Sequence, residues 1–179
     1  GKTVACLASG PSLTAEDCDL VFKAGLPVVA VNDTWRIARD CDVIYAGDLQ
    51  WWAQHAAEID VEAERWTCSA GAEVYGCFRF PVTGLYNSGQ RAIQFAIWRG
   101  AAKVILLGYD CSLAAGVHWH GPHEKTKNPD KTRVQVWKGQ FGALAESTKE
   151  RGPRIINCSR ATELDCFERA DLEEVLGRG

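Results

Sequence analysis

The chain has 179 residues, 46% hydrophobic and 24% charged, with a net charge of −3. This is the composition of an ordinary globular protein with material for one substantial core, and it carries no global basic field that would hold nucleic acid. No apolar run approaches the ~20 residues of a membrane span, and the opening Gly-Lys-Thr-Val lacks the basic and apolar regions of a secretory signal, so a cytoplasmic protein is expected.

Eight cysteines, Cys6, Cys18, Cys41, Cys68, Cys77, Cys111, Cys158 and Cys166, are spread singly, with no CxxC pair. Cys6 and Cys158 fall inside strand-like runs. Buried free thiols are expected, because a domain of this size needs no disulfide staples.

Thr3 to Ala8 is a short apolar run rich in small and β-branched residues, broken at once by Ser9-Gly10-Pro11-Ser12. A buried strand therefore ends in a tight turn. Thr14 with Asp17 three residues on has the capping-box pattern, so a helix starts near Thr14 and runs to Ala24, closed by Gly25. Strand, glycine turn and helix start form a corner at which bare backbone N–H groups can approach a phosphate.

Pro27 to Val31 is a second apolar run, ending in Asn32-Asp33. These two residues either face a crevice at the strand's carboxyl end or cap a helix over Thr34 to Asp40. Val43 to Ala46 is a third strand, ending in Gly47-Asp48, and Leu49 to Ile59 a helix whose Trp51 and Trp52 suit packing better than base stacking. The repeated pattern predicts an α/β domain, residues 1–179, with a mostly parallel central sheet and helical crossovers. Residues 63–80 mix strand-like pieces around Gly71 and Gly76 that suit an edge pair.

Asn87-Ser88-Gly89 opens the clearest helix, Gln90 to Arg99, stopped by Gly100. Its polar start is either a simple cap or a set of donors for a carboxylate or phosphate. Lys103 to Asp110 is the most strand-like run of the chain and leads into a long connection. Beyond it, Val134 to Glu150 reads as a helix, Arg154 to Cys158 as a last buried strand, and Leu164 to Leu176 as a final helix with Phe167, Leu172 and Val175 on one side.

The connection, residues 111–133, is long enough to be a functional lid. It holds His118, His120 and His123 in the string HWHGPH, followed by Lys125, Lys127, Lys131 and Arg133. Three roles are open to the histidines: solvated loop residues, metal ligands, or general acid and base groups with a pKa near neutrality. Nearby Cys111 and Glu124 are a thin complement for a metal, and none is expected. Gly10-Pro11-Ser12 lacks the lysine of a triphosphate-binding loop, and neither GxGxxG nor GxSxG occurs. The corner suits a nucleotide mono- or diphosphate held through backbone and amide contacts.

Taken together, Gly10-Pro11-Ser12-Leu13 after the first strand, Asn32 at the end of the second, Ser88-Gly89 at a helix start, Gly108-Tyr109-Asp110 at a strand end and a lid with Gly121-Pro122-His123 resemble the bacterial sialyltransferases and the related DUF115-type proteins. The likeness runs in order from about Val4 to Phe167. It implies a Rossmann-like three-layer domain and a glycosyltransferase-like enzyme that needs no metal and takes a nucleotide-activated sugar, of the cytidine monophosphate type, as co-substrate rather than cofactor.

On that resemblance Ser9, Gly10, Pro11 and Ser12 border the phosphate and sugar, Asn32 contacts the nucleotide, with Asp33 beside it, and Asn87, Ser88 and Gly89 receive the donor. Asp110, at the Gly-x-Asp strand end, is a further candidate for contact with the nucleotide. His123 is the counterpart of the general base, with His118 or His120 assisting phosphate departure. Ser9 and Asp48 both stand where the family has asparagine, and the family's lid tyrosines have no counterpart between Cys111 and Arg133. The acceptor, whether glycan, lipid head group or modified nucleotide, stays open. So do two other functions: a magnesium- and ATP-dependent pyrophosphokinase like some DUF115-type proteins, and a nucleotide-binding adaptor without catalysis.

Overall fold

A computed structural model describes residues 1–113, 116 and 129–177. Its centre is one parallel sheet of eight strands in the order β5-β4-β3-β2-β1-β6-β7-β8. The strands are β1 (Lys2–Leu7), β2 (Val28–Val31), β3 (Val43–Tyr45), β4 (Glu64–Thr67), β5 (Cys77–Arg79), β6 (Ala101–Leu107), β7 (Arg154–Asn157) and β8 (Glu168–Arg169). Five α-helices cover the two faces: α1 (Ala15–Lys23), α2 (Leu49–His55), α3 (Ser88–Trp98), α4 (Lys131–Thr148) and α5 (Leu172–Gly177). The expected Rossmann-like α/β architecture is present.

The central strands are buried on both sides, and their side chains divide between two cores with the two-residue period of a strand. Ala5 and Leu7 of β1, Val28 and Ala30 of β2, and Ile105 and Leu107 of β6 face α1, α2 and α5. Cys6, Val29, Val31, Val104 and Leu106 face α3 and α4. Both cores are closed by aromatic groups, Trp51 and Trp52 on the first face and Phe95 and Phe141 on the second.

The chain path creates one break in this order. From β1 the sheet grows outward to β5 with α1 and α2 on the first face; α3 then returns across the second face and delivers β6 to the free side of β1. The chain leaves β1 toward α1 on one face and β6 toward α4 on the other. At such a switch point the connections part and leave a crevice at the carboxyl ends of the strands.

Local signals account for most element boundaries. Thr14 caps α1 by accepting the N–H of Asp17 at 3.1 Å, and Gly25 follows with φ of +69°. Asp130 caps α4, accepting the N–H of Arg133 at 2.9 Å. All eight cysteines are free thiols. Among the described residues no helix is long and apolar enough to cross a membrane.

Three expectations need correction. The segment after β2 is a five-residue 3-10 turn, Asn32–Arg36, rather than a helix over Thr34 to Asp40. The helix after β3 stops at His55 and continues only as a 3-10 turn, Ala56–Glu58. The expected final helix from Leu164 to Leu176 is an irregular segment, strand β8 and short α5. Phe167 packs on the face of α4 and Leu172 on the face of α1, so the chain must pass the sheet edge between them, which a single helix with one apolar side cannot do. The segment 63–80 does contain an edge pair, β4 and β5, and it runs parallel.

Candidate functional site

A cleft of about 910 Å³ opens over the carboxyl ends of β1, β2, β3 and β6, with α3 and α4 as its far walls. Of the eleven described residues expected to contact a nucleotide, eight line it: Ser9, Gly10, Asn32, Asp48, Asn87, Ser88, Gly89 and Asp110. Pro11, Ser12 and Asp33 do not.

The β1 corner is built differently from the expectation. Gly10 N–H donates to Gly108 O at 2.8 Å, Ser12 N–H to Asp110 Oδ2 at 2.9 Å, and Leu13 N–H to Gly10 O at 3.1 Å. Pro11 has no N–H. The donors of the Gly-Pro-Ser turn thus knit β1 to β6 rather than facing an anion. A Cβ on Gly10 would lie 2.4 Å from both Gly108 O and Asp110 Oδ1, and one on Gly108, whose φ is +72°, would lie 2.3 Å from Ala8 O. These glycines are required by the close crossing of two backbones. Asp110, buried beneath them, also accepts the Ser12 hydroxyl at 2.6 Å. Burial pushes its carboxyl pKa up, against the lowering effect of the two Ser12 bonds.

At the end of β2, Asn32 is half-buried, lines the cleft and has φ of +51°, a left-handed conformation that asparagine tolerates better than most residues. Its neighbour Asp33 turns away: its carboxylate accepts from Arg36 Nε at 3.2 Å and from Trp51 Nε1 at 3.5 Å, beneath the 3-10 turn. The indole of Trp52 likewise serves the fold, donating to Ala46 O at 2.9 Å.

At the end of β3, Gly47 N–H donates to Ser88 Oγ at 3.1 Å, which fixes the start of α3 against the strand. The ring of Tyr86 lies on Gly47 so closely that a Cβ there would be 2.3 Å from it. The Tyr86 hydroxyl donates to Asp48 Oδ1 at 3.2 Å. Buried Arg91 secures this arrangement from below, with its guanidinium 5.1 Å from the Tyr86 ring centroid and Nη2 donating to Thr83 O at 2.7 Å and Gly84 O at 3.1 Å.

Asn87 caps α3, accepting the N–H of Gln90 at 2.8 Å, and its amide donates to Gln140 Oε1 of α4 at 2.8 Å. Tyr109 OH donates to Gly89 O at 3.0 Å. The first turn of α3 is therefore held from β3, β6 and α4 at once. Its leading N–H groups have no acceptor within the helix, and the helix dipole makes this end favourable for negative charge.

The α4 wall adds Thr132, Arg133, Val136 and Trp137 to the lining. Cys111, also in the lining, has φ of +49°, and its thiol lies 3.9 Å from Val134 O in the first turn of α4. His118, His120 and His123 lie outside the described residues, as do Trp119, Lys125 and Lys127. Both described ends of the expected lid, residues 111–113 and 129–133, border the cleft. Among the described residues no group of three His, Cys, Asp or Glu side chains is placed to hold a metal ion. Sequence reasoning missed Tyr86, Arg91 and Trp137; only the position of Tyr86 directly before Asn87-Ser88-Gly89 could have pointed to the first.

No family model, curated protein or solved structure matches the chain.

Proposed function

We propose that the cleft binds a nucleotide-activated donor and that the protein is a glycosyltransferase-like enzyme. The observation that carries this reading is the convergence of Ser9, Asn32, Asp48, Ser88 and Gly89, from four separate strand and helix ends, on one cleft at the switch point of a parallel sheet. The resemblance to sialyltransferase-like and DUF115-type proteins supplies the chemistry, without a metal.

In this reading His123 takes the proton of an acceptor hydroxyl as its oxygen attacks the anomeric carbon of the donor. The bond from that carbon to the phosphate oxygen breaks, and its electron pair leaves with the nucleotide. Because the Gly10 and Ser12 N–H groups are engaged within the protein, the departing phosphate falls to the first turn of α3, Ser88 and Gly89, with Arg133 as the cation of the opposite wall.

A thermal-shift screen of nucleotides and nucleotide sugars tests the first half, since a ligand at 100 times its Kd adds ~2.7 kcal/mol. The mechanism requires His123→Ala to abolish transfer while nucleotide affinity stays within about twofold. Transfer that survives the substitution sinks it. Turnover of ATP that stops on adding a chelator would point to the pyrophosphokinase instead, and tight binding with no turnover to an adaptor.

A further inference from the structure

Among the described residues three carboxylates line the cleft, and they are not equivalent. Asp110 is buried and takes both donors of Ser12, and Asp130 is occupied as the cap of α4. Asp48 is exposed to the cleft; Oδ1 accepts from Tyr86, and Oδ2 has no partner among the described residues. A carboxylate oxygen can only accept, so what meets it must be a donor, and it repels a phosphate.

The orientation of this carboxylate is built in. Tyr86 is seated on Gly47, stacked by Arg91 and tied to the Thr83 and Gly84 carbonyls through that same guanidinium. Burial pushes the Tyr86 phenol above its ordinary pKa, so at neutral pH it stays a donor to Asp48. Asp48 also directly follows Gly47, whose N–H is bonded to Ser88 Oγ, so the carboxylate and the start of α3 are neighbours. The sugar hydroxyls and 5′ phosphate of one nucleotide are neighbours in the same way.

Building on the nucleotide reading of the cleft, we propose that Asp48 reads the ribose hydroxyls of the ligand and that Tyr86 is the positioning residue that aims it, so that the site selects ribonucleotides over 2′-deoxyribonucleotides. Asp48 is thereby a specificity determinant at the end of β3, on the strand next to the one where dinucleotide-binding folds carry their acidic residue.

The test is calorimetric binding of CMP, UMP, AMP and GMP, each paired with its 2′-deoxy counterpart. The wild-type protein is expected to bind the ribonucleotide of the preferred pair roughly tenfold or more tightly, the worth of a hydrogen bond to a charged group. In Asp48→Ala that ratio falls to near one. Tyr86→Phe keeps the ring on Gly47 and under Arg91 but removes the hydroxyl that aims Asp48, and it reduces the ratio by about threefold, a part of the Asp48 contribution. A thermal melt of each variant confirms that it is folded. A ratio near one in the wild type, or a ratio that survives Asp48→Ala, overturns the proposal and leaves the nucleotide reading standing. Failure of all eight probes to bind overturns both.

Discussion

The carboxylate of Asp110 takes both donors of Ser12, the N–H at 2.9 Å and the hydroxyl at 2.6 Å, across 98 residues of sequence. This pair holds the turn after β1 against the loop after β6, the two connections that part to form the cleft. Removing the acceptor leaves two part-buried donors unmet, whereas removing the hydroxyl leaves the N–H bond in place. Asp110→Ala is therefore expected to lower stability by about 3 kcal/mol and Ser12→Ala by about 1 kcal/mol. In a double-mutant cycle measured by urea unfolding the two should couple by about 1 kcal/mol; strict additivity would deny the link.

The glycines of the chain divide into those that are required and those that are not. At Gly10 a methyl group would meet Gly108 O and Asp110 at 2.4 Å, so Gly10→Ala is expected to cost about 2–3 kcal/mol as the β1 and β6 loops are forced apart. Gly139 and Gly142 sit inside α4, and a methyl group added to either would find nothing within 4 Å. Replacing either by alanine should raise stability by about 0.5–1 kcal/mol, read as a higher urea midpoint at unchanged slope.

Arg160, just beyond β7, serves an acidic group around α1 and α5. It donates to buried Asp17 through Nη2 at 2.6 Å and through Nε at 3.1 Å, and to Glu173 at 2.9 Å. Arg160→Met strands the Asp17 carboxylate. The expected loss is about 2 kcal/mol, less than for a fully buried pair because the Arg160 side chain is 38% exposed.

The same guanidinium holds the Glu173 carboxyl down at about 2, against an ordinary 4.5. As pH falls, the unfolded chain takes up this proton before the folded one, so the contribution is complete above the ordinary value and is lost on acidification toward about 2. Glu173→Gln should flatten the fall in stability across that window and leave its slope above it unchanged. Urea midpoints measured at several pH values across the window decide it.

The five central parallel strands were legible because double burial leaves continuous apolar runs, and the caps at Thr14 and Asn87 because a short polar side chain before an apolar helix has few other uses. The Asp130 cap, ahead of the expected helix start at Val134, was not read. What escaped was set by distant partners. Gly10-Pro11-Ser12 looks like a phosphate turn in sequence, and only the arrival of Gly108 and Asp110 beside it shows where its N–H groups go. Asp33 reads like a crevice residue until Arg36 and Trp51 are seen to claim it. The segment around Phe167 and Leu172 carries a helical spacing, but its two apolar groups belong to opposite faces of the sheet.

Cys111 is held at φ of +49°, where a side chain costs about 1–2 kcal/mol, at the point where the chain leaves β6 to border the cleft. Among the described residues its thiol makes one long contact, 3.9 Å, to Val134 O, and the side chain packs on the edge of the core beneath α4. Cys111→Gly relieves the strain but enlarges the freedom of the unfolded chain and removes some packing, so its net effect on stability should stay within about 1 kcal/mol of zero. Cys111→Val places a β-branched side chain in the same conformation and should lose about 2 kcal/mol. If both variants unfold at the same urea midpoint, the left-handed conformation at Cys111 is not a property of the folded protein.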